Sequence, residues 1–410
     1  MTYRESLEWL YGLQVHGIKL GLDNMHRLCT ALEIETQSSE RCRFIHVAGT
    51  NGKGSVCAML AAIGVAMGRR TGLYTSPHLV SFRERIRLGP NRIPEAQVAE
   101  GIARIRSIIA DWDHSPTFFE VTTALALSWF QRQRAEIVIL ETGMGGRLDA
   151  TNVVTPSASV LTSIGVDHMQ YLGGTLAEIA GEKAGIIKPG VPAVSVPQLP
   201  GAGRVLREKA ASVGVPLKFI KQPLGDEWLL ALAGRHQRWN AALAFAALIE
   251  AGIRPESCIV RDALAAVEWP GRFQRVGERL VIDGAHNPSA AAQLAETWRG
   301  EFGEEKAAIV LGMLADKDAA GVVDALAPIA ARIICVPVRS PRGLPAAELA
   351  RVIREKAPTL PVTEAGSLGA ALADAEQGSG RILIAGSLFL AGEALVHLGL
   401  AEGAQEWSAQ

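Results

Sequence analysis

Short apolar runs alternate with amphipathic stretches along most of the chain. Residues 43–48, 137–140 and 159–162 read as strands, and residues 55–67 and 241–251 read as helices. Pro94 suits the first turn of a further helix over residues 95–110. Apolar β-branched runs are typical of strands buried on both faces of a parallel sheet. Their alternation with helices predicts an α/β fold with a parallel, doubly wound sheet.

The alternation pauses at residues 268–276, where Pro270 and Gly271 would break a helix. It then resumes with apolar runs at 280–282, 307–311, 333–336 and 382–385, separated by helical segments. We therefore predict an N-terminal domain over residues 1–267, a hinge or linker over 268–276, and a smaller C-terminal α/β domain over 277–410.

Composition and charge exclude several classes of protein. Of the 410 residues 48% are hydrophobic and 20% charged, as in soluble globular proteins. The 41 basic and 42 acidic residues give a net charge of −1, which argues against a nucleic-acid or membrane partner. Five cysteines without a CxxC pair favour reduced thiols, and the N-terminus is not a signal peptide. We expect a cytoplasmic protein.

Residues 46–55, HVAGTNGKGS, combine a strand, clustered glycines, a lysine and a helix start. Glycines let backbone N–H groups approach a phosphate, and the helix N-terminus and Lys53 add positive charge. The spacing departs from GxxxxGK[ST], because Gly49 lies three residues before Gly52 and Gly54 follows Lys53. The alternative is a plain glycine turn, but a lysine at a helix start is unfavourable unless it meets an anion.

Three polar residues follow separate predicted strands and suggest a magnesium site. Ser76, Glu141 and His168 would meet where the carboxyl ends of parallel strands converge. Ser76 could instead cap a turn, Glu141 could be structural, and His168 could be an ordinary loop histidine. Lys183 lies on a predicted helix, where its spacing alone favours a solvated surface lysine.

Eleven segments occur in an order that resembles the dihydrofolate synthase/folylpolyglutamate synthase family of the Mur ligase superfamily. They are GTNGKGS (49–55), SPHLVSFRERI (76–86), FFE (118–120), ETGMGGRLDATN (141–152), DHMQYLG (167–173), EKAGIIKPG (182–190), HQRWNAALA (236–244), PGRFQ (270–274), DGAHNP (283–288), GMLADKD (312–318) and GSLFLAGE (386–393). The main departure is Thr142, where many relatives have valine.

The resemblance implies a P-loop ATPase domain followed by a Rossmann-like domain, with ATP bound between them. It implies ATP-dependent ligation of L-glutamate to dihydropteroate and to tetrahydrofolate through an acyl phosphate, with two Mg²⁺ ions. The implied nucleotide-binding residues are Gly49, Thr50, Asn51, Gly52, Lys53, Gly54, Ser55, Asn240, Arg272 and Asp283.

The same resemblance assigns the remaining site residues. Ser76, Glu141, His168 and Lys183 would ligate magnesium, Lys183 as a carbamate formed with CO₂, and the catalytic residues would be Lys53, Lys183, Asp283 and His286. The implied substrate-binding residues are Thr117, Phe119, Asp149, Ala150 and Ser387. Asp149 could accept paired N–H bonds from a pterin, or it could form a salt bridge with nearby Arg147.

Other functions stay open at this stage. A Mur-type ligase for a UDP-sugar would carry an extra N-terminal domain, whereas Gly49 has only 48 residues before it. The further alternatives are a monofunctional folylpolyglutamate synthase, a non-catalytic nucleotide-binding switch and a nucleic-acid-binding ATPase. We expect a monomer, because two domains would complete the site.

Overall fold

The computed structural model describes residues 1–16 and 21–406, which form two α/β units. The first sheet has the strands β1 (Arg43–Ala48), β2 (Thr71–Tyr74), β3 (Ile86–Leu88), β4 (Asn91–Arg92), β5 (Ile137–Glu141), β6 (Ala158–Leu161), β7 (Ala193–Ser195) and β8 (Leu217–Phe219). Its strand order is β4-β3-β2-β5-β1-β6-β7-β8. Six neighbouring strands of this sheet run parallel, as predicted, and they are β2, β5, β1, β6, β7 and β8.

The edge of this sheet differs from the prediction of a wholly parallel sheet. β3 pairs antiparallel with β2, and β4 pairs antiparallel with β3, so the sheet is mixed. The two residues between β3 and β4 include Gly89, whose φ of +59° suits the tight reversal. A short hairpin of this kind has little hydrophobic pattern, because β4 is exposed.

In the described residues, ten α-helices belong to the first unit. They are α1 (Tyr3–Gly12), α2 (Asp23–Ala31), α3 (Lys53–Ala66), α4 (Glu95–Ile108), α5 (Phe118–Arg132), α6 (Met169–Leu172), α7 (Leu176–Ala184), α8 (Pro200–Ser212), α9 (Arg235–Glu250) and α10 (Ser257–Ala265). Helices α1, α2, α4 and α5 contribute to one core, and α3, α9 and α10 contribute to another. Pro94 is the N-cap of α4 rather than its first residue.

The second unit has a six-stranded sheet in the order β13-β12-β11-β14-β10-β9. Its strands are β9 (Gln274–Val276), β10 (Leu280–Ile282), β11 (Ala307–Leu311), β12 (Ala330–Cys335), β13 (Val362–Glu364) and β14 (Arg381–Ala385). Its helices are α11 (Pro288–Phe302), α12 (Ala319–Leu326), α13 (Ala346–Lys356), α14 (Leu368–Glu376) and α15 (Leu388–His397). β9 lies inside the segment predicted as a linker and pairs antiparallel with β10.

The carboxyl ends of the central strands of both sheets face one cleft. In the first unit, β1, β2, β5 and β6 lead into the segments that hold Gly49, Ser76, Glu141 and His168. In the second unit, β10 and β14 lead into Asp283 and Ser387. No helix in the described ranges is long and apolar enough to cross a lipid bilayer.

Candidate active site

The cleft between the two units has a volume of about 540 Å³ and gathers nearly all of the predicted site residues. Its lining includes Gly49, Thr50, Asn51, Gly52, Lys53, Gly54, Ser55, Ser76, Thr117, Phe119, Glu141, Asp149, Ala150, His168, Lys183, Arg272, Asp283, His286 and Ser387. Asn240 is buried behind the loop, where its side chain donates to Gln237 Oε1 at 2.9 Å. A Cβ atom at Gly52 would lie 2.9 Å from Asn240 Oδ1.

The loop after β1 is shaped by two glycines. A Cβ atom at Gly49 would lie 1.8 Å from Thr162 Oγ1, and Gly52 has a φ of +89° at the N-cap of α3. The loop is also held by the N–H groups of Thr50 and Asn51, which donate to Ser163 O. Because the first N–H groups of a helix lack partners within the helix, the start of α3 offers an anion site.

Lys53 lies against this loop. Its Nζ donates to Gly49 O at 3.2 Å and to Thr50 O at 3.3 Å. The cation is therefore at the entrance of α3, where a phosphate would meet both the helix N-terminus and the lysine.

Glu141 ends β5 as a buried carboxylate beside the loop that carries Ser76. The Ser76 N–H donates to Glu141 Oε2 at 3.1 Å. Burial raises the pKa of Glu141, while Lys53 and the Ser76 N–H act in the opposite direction. Glu141 offers carboxylate oxygens and Ser76 a hydroxyl on the adjoining loop, and such hard oxygen donors suit Mg²⁺. Within residues 1–16 and 21–406, no three or more His, Cys, Asp or Glu side chains are grouped to hold a metal ion.

His168 is on the rim of the same region, in a left-handed backbone conformation with φ of +52°. Burial lowers the pKa of His168 to about 4, although Asp167 acts in the opposite direction. The imidazole is therefore neutral at pH 7, which is the form that can bind a metal.

Lys183 is buried, so its interpretation as a solvated surface lysine is wrong. Only 4% of the residue is exposed, and its Nζ donates to Gly49 O at 2.8 Å. Burial, followed by the charge of Lys53, lowers the pKa of Lys183 to about 7. A large fraction of this amine is therefore uncharged at neutral pH.

Asp149 is buried, and the alternative of a salt bridge to Arg147 is also wrong. Arg147 pairs with Glu182 at 2.7 Å. The carboxylate of Asp149 instead accepts from the Met144 N–H at 2.9 Å, the Thr151 N–H at 3.0 Å and the Thr151 hydroxyl at 2.5 Å. Burial raises the pKa of Asp149, and these hydrogen bonds act in the opposite direction.

A buried histidine supports Asp149 through Thr151. His46 Nε2 lies 2.7 Å from Thr151 Oγ1. Because the threonine hydroxyl gives its hydrogen to Asp149, His46 Nε2 is the donor to Thr151. Burial lowers the pKa of His46 to about 3, so the imidazole is neutral. β1 thus holds the carboxylate from behind while also leading into the phosphate loop.

The other predicted substrate residues shape the wall next to Asp149. Thr117 caps α5 and exchanges hydrogen bonds with Glu120. The Phe119 ring lies so close to Gly143 that a Cβ atom there would be 2.6 Å from Phe119 Cζ. Ala150 begins the short 3₁₀ turn Ala150–Val153, which Asp149 caps.

On the opposite wall, Asp283 orders the start of the second unit. It accepts from the Phe273 N–H at 2.8 Å and the Ala285 N–H at 2.7 Å. Burial raises the pKa of Asp283, and the charge of Arg272 acts in the opposite direction. Asp283 thereby anchors the backbone that presents Arg272 to the cleft.

His286 and Ser387 complete this wall. His286 Nδ1 donates to Gly284 O at 2.8 Å, which leaves Nε2 with a lone pair. Burial, followed by the charge of Lys317, lowers the pKa of His286 to about 4. Ser387 is buried and caps α15 by accepting from the Phe389 N–H at 3.1 Å.

The sequence did not single out the polar contacts that join the two units. Asp167 forms a 2.9 Å ion pair with Lys317, and both side chains are at most 10% exposed. The Asn287 amide donates to Asp167 Oδ2 and to Asn51 Oδ1, both at 3.1 Å. These residues lie within the segments that carry the family resemblance, but their spacing along the chain does not predict which of them are in contact.

Comparisons with known proteins agree with this architecture. Residues 47–196 match the Mur ligase middle domain, and residues 271–388 match the glutamate ligase domain of Mur ligases. The fold and cleft therefore define an ATP-dependent ligase of the Mur type.

More specific similarities follow from whole-chain matches. The dihydrofolate synthase/folylpolyglutamate synthase of Bacillus subtilis (strain 168) is 34% identical over 383 residues, covering 85% of this chain and 88% of that protein. The Escherichia coli (strain K12) protein of the same description is 36% identical, with coverages of 84% and 83%. The chain belongs to the dihydrofolate synthase/folylpolyglutamate synthase family.

Solved structures support the same relationship. E. coli FolC in complex with DHPP and ADP superposes with a TM-score of 0.89 at 32% identity, covering 98% of both chains. Mycobacterium tuberculosis folylpolyglutamate synthase complexed with ADP and AMPPCP also gives a TM-score of 0.89, at 33% identity, with coverages of 98% and 100%. The two-unit fold is therefore common to this chain and these enzymes.

Proposed function

We propose that this ligase joins L-glutamate both to dihydropteroate, forming dihydrofolate, and to reduced folates such as tetrahydrofolate, extending a polyglutamate tail. The observation that supports this most strongly is the single cleft that holds the phosphate loop, the buried Asp149 and the second unit. Its relative FolC has been solved with DHPP and ADP together. One chain contains the whole cleft, which favours a monomer divided near residues 268–276.

The first step forms an acyl phosphate. A carboxylate oxygen of the acceptor attacks the γ-phosphorus of ATP, and the bond to the β,γ-bridging oxygen breaks to release ADP. Lys53 and Arg272 face the cleft from its two sides and would neutralise charge on the transferring group. Closure of the units around Arg272 would exclude water from the acyl phosphate.

The oxygen ligands in the cleft fit magnesium. Ser76, Glu141 and His168 would hold one Mg²⁺, and a carbamate on Lys183 would help to hold a second. When bound, the metal supplies positive charge against the phosphates of ATP. A carbamate forms when the neutral Lys183 amine attacks CO₂ and releases a proton, and the pKa of about 7 makes that amine available.

In the second step, the amino group of glutamate attacks the acyl carbon and the bond to phosphate breaks. The nitrogen loses a proton in the process. Because its pKa is about 4, His286 is a weak base at neutral pH. The oxygen of the departing phosphate is a stronger acceptor, and the proton leaves with it as hydrogen phosphate. We therefore assign His286 Nε2 to orienting the incoming amine through a hydrogen bond, and Ser387 to the same wall.

Asp149 would recognise the acceptor. A carboxylate in an apolar, enclosed site can accept two N–H bonds from the edge of an aminopterin ring. Thr117, Phe119 and Ala150 would form the surrounding wall, with the Phe119 ring available to contact the flat heterocycle.

The test is a turnover assay with ATP, Mg²⁺, L-glutamate and either dihydropteroate or tetrahydrofolate, with ADP and ligated product measured. Turnover with both acceptors is the expected result. Turnover with tetrahydrofolate alone would keep the ligase chemistry but remove the dihydropteroate activity. An enzyme that binds ATP and uses neither acceptor would refute the folate assignment.

A further inference from the structure

The chain returns to the first unit after α15. Residues 401–406, which we call the C-terminal strap, contact residues 77–82, the segment that directly follows Ser76, through Gln405 and Glu406. Gln405 Nε2 donates to Leu79 O at 2.8 Å, and the Glu406 N–H donates to Val80 O at 2.7 Å. The strap is therefore bonded to the backbone of a loop that borders the proposed metal site.

The carboxylate of Glu406 is the strongest feature of this contact. Its Oε2 accepts from the Phe82 N–H at 2.5 Å, the Ser81 hydroxyl at 3.2 Å and the Tyr3 hydroxyl at 2.9 Å. Hydrogen bonds to an ionised acceptor are about twice as strong as neutral ones. The same carboxylate thus ties the N-terminal helix, the strap and the loop together.

The main chain of Glu406 is held through a half-buried histidine. His78 Nε2 lies 2.7 Å from Glu406 O, and Arg85 Nε donates to His78 Nδ1 at 2.8 Å. Since Nδ1 accepts from Arg85, Nε2 must carry the hydrogen and donate to Glu406 O. The Arg85 guanidinium lies over the Phe118 ring, 5.2 Å from its centroid. The strap is therefore linked to the start of the substrate helix α5.

The loop between the strap and Glu141 is short. The Thr75 N–H donates to Arg85 O at 3.0 Å, and the Ser76 N–H donates to Glu141 Oε2. On the other side, a Cβ atom at Gly392 of α15 would lie 2.1 Å from Leu79 O, so helix and loop pack backbone to backbone. A displacement at residues 79–82 would be transmitted to Ser76 within a few residues.

We propose that Glu406 is a positioning residue for the proposed magnesium site. By fixing residues 77–82, the strap holds Ser76 against Glu141 in the arrangement that both oxygens need to bind one cation. This inference rests on the proposed function for the identity of the cation. It assigns a role in the reaction to a residue outside every segment that carries a predicted site residue.

The test compares Glu406→Gln with Glu402→Gln in the full-length enzyme. Glu402 is exposed in the same strap, so its variant removes the same charge without the contacts to the loop. In E406Q an amide must face three hydrogen-bond donors. We expect amide hydrogen exchange in residues 77–82 of the nucleotide-free protein to accelerate about tenfold. The Mg²⁺ concentration for half-maximal turnover should also rise about tenfold, with the KM for glutamate unchanged.

A second background shows whether the effect passes through Ser76. In Ser76→Ala, adding E406Q should no longer raise the Mg²⁺ requirement, although it should still accelerate hydrogen exchange. Tyr3→Phe removes a single donor and should give a smaller shift of the same kind in a stably folded protein.

Several outcomes would overturn the inference. One is a rate of amide hydrogen exchange in residues 77–82 of E406Q equal to that of the wild type. Another is an unchanged Mg²⁺ requirement in E406Q. A third is an equal rise in the Mg²⁺ requirement whether residue 76 is serine or alanine. A lower Tm alone, with the Mg²⁺ requirement unchanged, would show a purely structural contact. If the wild-type enzyme needed no Mg²⁺, the proposed function would fail instead, while the exchange experiment would still report on the strap.

Discussion

The ion pair between Asp167 and Lys317 should determine how often the two units are closed. The Nζ and Oδ1 atoms are 2.9 Å apart, and the side chains are 10% and 8% exposed. At an effective dielectric constant of about 20, such a pair attracts by about 6 kcal/mol. Desolvation of each ion opposes this by several kcal/mol. The desolvation of the two ions largely cancels this attraction in the net stability, but a double-mutant cycle measures the attraction between them. We expect a coupling of about 2–3 kcal/mol, which corresponds to roughly 30- to 150-fold in the closing equilibrium.

The assay is a double-mutant cycle with Lys317→Met, Asp167→Asn and the combined variant. Each single variant leaves one buried polar group without its partner, so each should lower kcat/KM for ATP strongly. The loss of kcat/KM in the combined variant, expressed as free energy, should be much smaller than the sum of the losses in the two single variants. Small-angle scattering should show all three variants to be more extended than the wild type. Lys356→Met, in an exposed pair 3.5 Å from Asp324, is the matched control and should change kcat/KM by less than about twofold. Additive effects within about 0.5 kcal/mol would refute the coupling.

Three further predictions concern buried groups in the cleft. Because burial raises the pKa of Glu141, its charge disfavours the folded state above the unfolded pKa of about 4.3. Glu141→Gln should therefore raise Tm at pH 7 but not near pH 4, while abolishing turnover; an equal Tm gain at both pH values would contradict this. Lys183, with a pKa of about 7, should be mostly neutral at pH 8 and mostly charged at pH 6. Removal of CO₂ should lower turnover, and added bicarbonate should restore it faster at pH 8 than at pH 6. Unchanged turnover without CO₂ would contradict the proposed carbamate. Thr151→Val deletes a donor to Asp149 and should raise the KM for dihydropteroate about tenfold, without changing the KM for ATP. Equal changes in both KM values would contradict a specific role in acceptor binding.

Much of the fold could be predicted because its signals are local. Strands β1, β5 and β6 are mostly apolar runs within a residue or two of the predicted bounds, since burial on both faces leaves few polar positions. The position of Glu141 at the end of β5 followed from the same pattern. Short or exposed elements gave no such signal, as the hairpin of β3 and β4 shows.

The contacts of the site were harder to predict than its members. Arg147 is two residues from Asp149, yet it pairs with Glu182, while the buried Asp149 carboxylate faces the Met144 N–H and Thr151. Burial of Lys183 was not visible on a helix with both polar and apolar faces. Such outcomes depend on which elements meet in three dimensions, and spacing along the chain does not contain that information.

Within the first unit, the phosphate loop and the wall around Asp149 are built largely by different segments, although β1 also supports Asp149 through His46. The phosphate loop and Glu141 follow β1 and β5, whereas the wall around Asp149 is formed by the start of α5 and the turn Ala150–Val153. Under the proposed roles, substitutions at Thr117, Phe119 and Ala150 would change which carboxylic acid is bound. The residues proposed to bind phosphate and magnesium would be unchanged by them, so a new acceptor could be used with the same ATP chemistry.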